Sequence, residues 1–217
     1  MVTIIGKMYA YAADARQQAN RWLQVNLRTI IKFEMKNWTL TLDNITKQSQ
    51  TEFGTLTNEE LNWKPNSSTW SIAQNLDHLI VVNETYYPVL ASLKEGTYKT
   101  PFTAKIGFIV SFLGKTVLKA VQPDRQKKMK TFPIWEPSTS KVSDDILKKF
   151  EIHQNVLKQK IEEAKGLIEQ GVVISSPANR NIVYKLETAF DIIVSHEQRH
   201  LEQAKEILHI IKNNTSH

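Results

Sequence analysis

His196 and His200 stand four residues apart in the stretch Ser195-His196-Glu197-Gln198-Arg199-His200. On a helix such a pair shares one side, with Cβ atoms roughly 5–6 Å apart, so both imidazoles can point at one metal ion. His78, on a second predicted helix, would complete a facial set of three. A three-ligand set leaves the remaining coordination positions to water or substrate, and this separates a catalytic metal site from a closed structural one. A divalent ion held by three neutral imidazoles lowers the pKa of bound water or thiol, so that a nucleophile is available near neutral pH. Zinc or nickel suits such ligands best.

The pair sits in a seam. Ala189, Ile193, His196, His200, Ala204, Ile207 and Ile211 recur at spacings of three and four, the pattern of a face turned to a bundle interior. Burying an imidazole without a partner is costly, so a metal, or hydrogen bonds to buried polar groups, must lie opposite; a position at the rim of the helix is the third option. His153, His209 and His217 have no comparable setting and are expected on the surface. The same stretch matches His-Glu-x-x-His, in which the Glu is the general base of a metalloprotease. The extended form of that motif needs Gly and His where Gln203 and Glu206 stand, so protease activity is not expected. Glu197 points about 100° away from His196 around the helix. It is expected to be a surface or supporting carboxylate, and it is the candidate catalytic side chain for handling a proton.

Composition narrows the chemistry. The chain of 217 residues is 41% hydrophobic and 23% charged, ordinary globular usage for one domain with a substantial core. It contains no cysteine, which excludes disulfides, thiolate ligands and a protein-borne sulfur nucleophile; any thiol must come from a cosubstrate. The net charge of +6 is spread along helices and interleaved with acids, which reads as a solvated surface and not a nucleic-acid site. The longest apolar stretch, Ile106 to Val121, contains Lys115 and Lys119 and falls short of the roughly 20 residues that span a bilayer. No stable membrane insertion is expected, and the cytoplasm is the expected location.

Helical periodicity dominates, without a convincing run of alternating strand. Helices are predicted over residues 40–53, from 69–71 to about 93 with Pro88 kinking or shortening it, over 106–121, over 143–170 with Gly171 at its end, and over 186–211. Between 122 and 140 lies a basic connection containing Pro123, Pro133 and Pro137. Four long helices with an extra one between the second and third argue for an all-α, up-down-type four-helix bundle. Residues 1–34, with Lys7, Arg16, Arg21, Arg28 and Lys32 against Asp14 and Glu34, are expected to be an additional amphipathic helix or an over-extended start before Met35. The bundle domain is placed at 35–217.

Three segments together resemble the DinB-like superfamily: Trp70-Ser71-Ile72-Ala73-Gln74-Asn75-Leu76-Asp77-His78-Leu79, Lys130-Thr131-Phe132-Pro133, and His196-Glu197-Gln198-Arg199-His200-Leu201-Glu202-Gln203. The match covers roughly residues 36–211. The resemblance implies a four-helix bundle with a metal site made by one His on the second helix and a His-x-x-x-His pair on the last, hence His78, His196 and His200. It implies thiol S-transferase-like chemistry on a small-molecule substrate, with a low-molecular-weight thiol such as bacillithiol or mycothiol as possible cosubstrate. A metal-dependent hydrolase is the alternative, as is a non-catalytic bundle whose 106–121 segment forms a homodimer interface or touches a membrane.

Overall fold

The computed structural model describes residues 37–124, 133–137 and 141–214, together with Gln18. The expected extension 1–34 therefore lies outside the described residues except for Gln18, as do Lys130, Thr131, Phe132 and His217.

Helix α1 (Trp38–Phe53) buries Trp38, Leu42, Ile45, Ser49 and Phe53, a stripe at the three- and four-residue spacing of one helical face. Thr57 opens the short α2 (Asn58–Asn62) through a reciprocal capping box with Glu60. Ser71 does the same for α3 (Ile72–Glu84): its hydroxyl accepts from the Gln74 N–H at 3.1 Å, and Gln74 Oε1 accepts from the Ser71 N–H at 3.2 Å. Both boxes satisfy N–H groups that a helix start otherwise leaves unpaired. The expected helix through residue 93 is split. Helix α4 (Tyr87–Lys94) carries Pro88 in its first turn, where a missing N–H removes no intrahelical bond.

A 3-10 turn at Phe102–Lys105 leads into α5 (Gly107–Val121), close to its predicted span. The helix expected over 143–170 begins three residues later as α6 (Ile146–Glu163) and is interrupted at Ala164 before α7 (Lys165–Glu169). Gly171, at φ +67°, then turns the chain, a left-handed conformation that glycine adopts without steric cost. Here the structure corrects the expectation of no paired strands. β1 (Val173–Ser176) and β2 (Asn179–Lys185) form an antiparallel hairpin, with Ile174 opposite Tyr184 and Ser175 opposite Val183.

The chain then enters α8 (Leu186–Asn214), whose 29 residues extend about 43 Å at 1.5 Å per residue. Helices α1 and α3 each pack against both α6 and α8, so the bundle has α1 opposite α3 and α6 opposite α8. Helix α5 packs on β2 and on α8, outside this square. Gly114 makes that seat possible: a Cβ there would meet Tyr184 Cβ at 3.1 Å and Thr188 Cγ2 at 3.2 Å. The described part of residues 38–217 is mostly helical, with one small hairpin.

Candidate metal centre

His78 lies in the second turn of α3, and His196 and His200 occupy successive turns in the middle of α8. Packing of α3 against α8 brings the three together: their ligand atoms all lie within 4.8 Å of one another. His196 Nε2 is 3.0 Å from His200 Nε2 and 3.4 Å from His78 Nε2. Trp70, just before the Ser71 cap, stacks on His200 with ring centroids 5.6 Å apart and packs on His78 at 4.8 Å. The Trp-Ser pair therefore starts the helix and also walls the site.

Two of the rings are fixed from behind. His78 Nδ1 lies 2.5 Å from the carbonyl oxygen of Trp135, which can only accept, so Nδ1 carries the hydrogen and Nε2 presents a lone pair. His200 Nδ1 lies 2.8 Å from Asn75 Oδ1. The orientation of that amide is set in turn, because Asn75 Nδ2 donates to the Ser71 carbonyl at 2.8 Å. His200 is thereby also left with a bare Nε2. A partner that holds the far nitrogen and fixes the tautomer is the support that metal-ligating histidines have.

His196 Nε2 faces the two bare Nε2 atoms at 3.0 and 3.4 Å, a gap that a hydrogen on His196 Nε2 or a cation held by all three rings could bridge. Burial drives the His78 pKa down to about 4, against the pull of the Trp135 carbonyl. Burial, the neighbouring imidazole of His78 and the Arg199 charge hold His196 well below the ordinary histidine range. His200 is lowered likewise by burial, by His196 and His78, and by Arg199. A second proton on any of these rings, which would make an imidazolium, is thus disfavoured near neutral pH. The donor set of three imidazole nitrogens without a carboxylate or thiolate suits a borderline divalent transition-metal ion; the three rings could hold it.

Glu197 is placed elsewhere than a surface position, and its side chain is fully buried. Helix α8 is covered by α1, α3 and α5, so a residue 100° from the histidine seam is still interior. The carboxylate accepts from Asn83 Nδ2 at 2.7 Å and from Gln154 Nε2 at 2.5 Å. Burial raises it to about 7, against both amides. His153, expected on the surface, is also corrected: it is 5% exposed, with Nε2 at 3.2 Å from Asn83 Nδ2 and Nδ1 at 3.3 Å from the Tyr87 hydroxyl. Burial lowers its pKa to about 4. Glu197, Asn83, Gln154 and His153 thus form a buried polar group, joined by the half-buried Tyr87. His209, by contrast, is exposed as expected.

Asn75 and the Trp135 carbonyl were not singled out by residue type. Asn75 carried a usable signal, since it precedes His78 by three residues and so shares its helix face. A backbone carbonyl carries none.

A helical bundle with three convergent imidazoles on two facing helices defines a class of candidate metal-binding bundle proteins. The chain belongs to the DinB superfamily, whose family model matches residues 41–204. It is 28% identical over 155 residues to the "Uncharacterized protein YuaE" of Bacillus subtilis (strain 168), a match covering 70% of this chain and 85% of that protein. No solved structure matches the chain.

Proposed function

We propose that the protein is a metal-dependent enzyme acting on a small-molecule electrophile by thiol S-transferase-like chemistry, with His78, His196 and His200 as the ligands of one divalent ion, zinc or nickel. The observation that carries this reading is the convergence of the three Nε2 atoms, two of them bared by hydrogen bonds on the opposite ring nitrogen. When bound, the ion would supply Lewis acidity that lowers the pKa of a thiol or water at the open positions. The chain itself has no cysteine, so the thiol is a cosubstrate.

The residues have separate tasks in this reading. Trp70 closes one side of the site and shields the imidazoles of His78 and His200 from water. Asn75 and the Trp135 carbonyl hold ring orientation. Glu197, the sequence candidate for proton transfer, faces the amides of Asn83 and Gln154; it acts as a positioning residue that anchors the turn of α8 bearing His196.

The experiment compares metal content and turnover in single variants, using a panel of thiols and electrophiles alongside a peptidase substrate. His200→Ala should lose both metal and activity. Glu197→Gln should keep the metal and lose activity only modestly. Full metal occupancy in His78→Ala would refute the three-histidine site. Metal-dependent peptide cleavage abolished by Glu197→Gln would refute the transferase reading while leaving the site intact, and hydrolysis of the electrophile without thiol would replace transfer by water addition.

A further inference from the structure

Between Glu95 and Asp124 the chain has no acidic residue, but it has Lys99, Lys105, Lys115 and Lys119. All four lysines are exposed. The same segment carries three of the largest exposed apolar side chains among the described residues: Phe102 at 75%, Phe108 at 77% and Phe112 at 67%. The 3-10 turn bearing Phe102 and Lys105 packs against α5, so these groups belong to one neighbourhood.

Their order along α5 is specific. Phe108, Phe112, Lys115 and Lys119 are spaced four, three and four, a single outward stripe. Its first half is aromatic and its second half cationic. The opposite stripe is already used: Val110 and Gly114 are buried, and Val117 and Val121 pack on the core. The phenylalanines are therefore not the helix's contribution to the fold, and exposed aromatic clusters of this kind mark interaction sites.

We infer that this face docks on the surface of an anionic lipid bilayer, with Phe102, Phe108 and Phe112 entering the boundary between headgroups and acyl chains and the lysines engaging lipid phosphates. The order along the stripe suits this: the aromatic half can enter the interface while the lysines of the other half extend their charged ends to headgroup level. Charge complementarity favours this occupant over a second copy of the chain. A two-fold interface pairs the same patch with itself, which here would gather the lysines of both copies around one contact with no acid within the segment to offset them. Insertion across the bilayer is not involved, since among the described residues no helix is long and apolar enough to span it.

The test is sedimentation of the full-length protein with vesicles of phosphatidylcholine alone and of phosphatidylcholine mixed with phosphatidylglycerol. Binding should require the anionic lipid and weaken as salt is raised. The double variant Phe108→Ser/Phe112→Ser should lower partitioning about tenfold or more, and Lys115→Glu/Lys119→Glu should remove the preference for anionic vesicles. Both pairs are exposed, and unchanged circular dichroism and thermal stability show that the fold persists. Absence of binding, or binding equal in wild type and both variants, would overturn the inference. So would a dimer that dissociates in Phe108→Ser/Phe112→Ser without vesicle binding, or tighter binding to a single-stranded oligonucleotide than to any vesicle.

Discussion

Asn75 decides which nitrogen His200 offers. With its amide locked by the Ser71 carbonyl, it accepts from His200 Nδ1, and replacement by Leu removes that acceptor at little cost in volume. Asn75→Leu should weaken metal binding roughly 10- to 100-fold, the range seen when such supporting partners are lost, as measured by competition with a chelator. His153 gives a separate prediction. Its pKa falls from 6.5 in the unfolded chain to about 4 in the folded one, so the unfolded chain takes up the proton first. Its contribution is complete above pH 6.5 and is lost as pH drops toward 4, by on the order of 3 kcal/mol at most. His153→Gln should flatten the acid limb of stability relative to wild type in urea titrations across that window. An unchanged pH profile would show that His153 does not titrate in this way. The His196–His200 pair is legible in the sequence because a four-residue spacing inside an apolar seam is visible in one dimension, whereas His78 enters the set through the family resemblance. The burial of His153 and Glu197 is not legible, because it depends on neighbours of α6 and α8 that only the packed bundle supplies.

At the scale of elements, helix starts and stops followed local chemistry closely. Ser71 and Gln74 mark the start of α3, Pro88 marks the first turn of α4, and Gly171 ends the helical run before the hairpin. The hairpin itself is not legible in the sequence. Its strands flank only Pro177-Ala178, which lacks the Asn-Gly or Gly-X signature of tight hairpin turns, and β1 has only four residues. Its role is to seat α5, and this makes Gly114 sensitive. Alanine there would gain helix propensity, but its Cβ would press on Tyr184, whose hydroxyl is held by Tyr86 at 2.8 Å. The neighbour cannot easily yield. Gly114→Ala should therefore destabilise the fold by about 1 kcal/mol net, read as a lower urea midpoint at unchanged slope. A gain in stability would mean that the α5 seat can expand.

For the whole molecule, the family match at residues 41–204 and the compact unit formed by residues 38–217 agree on where the bundle lies. Deleting residues 1–34 is expected to leave the bundle and its histidine site intact. Equal melting temperatures and equal metal content in the full and shortened chains would bear this out; a large loss of thermal stability would show that the segment is part of the fold.

Arg199 joins the C-terminal end of α5 to the histidine-bearing turn of α8. Its guanidinium, nearly buried between α5 and α8, donates through Nη1 to the carbonyls of Ala120 and Gln122 at 3.3 and 3.5 Å, at the C-terminal end of α5. It is also the residue before His200, on the turn that carries the imidazoles. A surface that shifts the end of α5 would thus tug on the ligand-bearing turn, and an ion that stiffens that turn would steady α5. Thermodynamic reciprocity makes vesicles change the affinity for metal by the same factor by which metal changes the affinity for vesicles, and transmission through the arginine predicts a factor other than one that is lost when Arg199 is replaced by Ala.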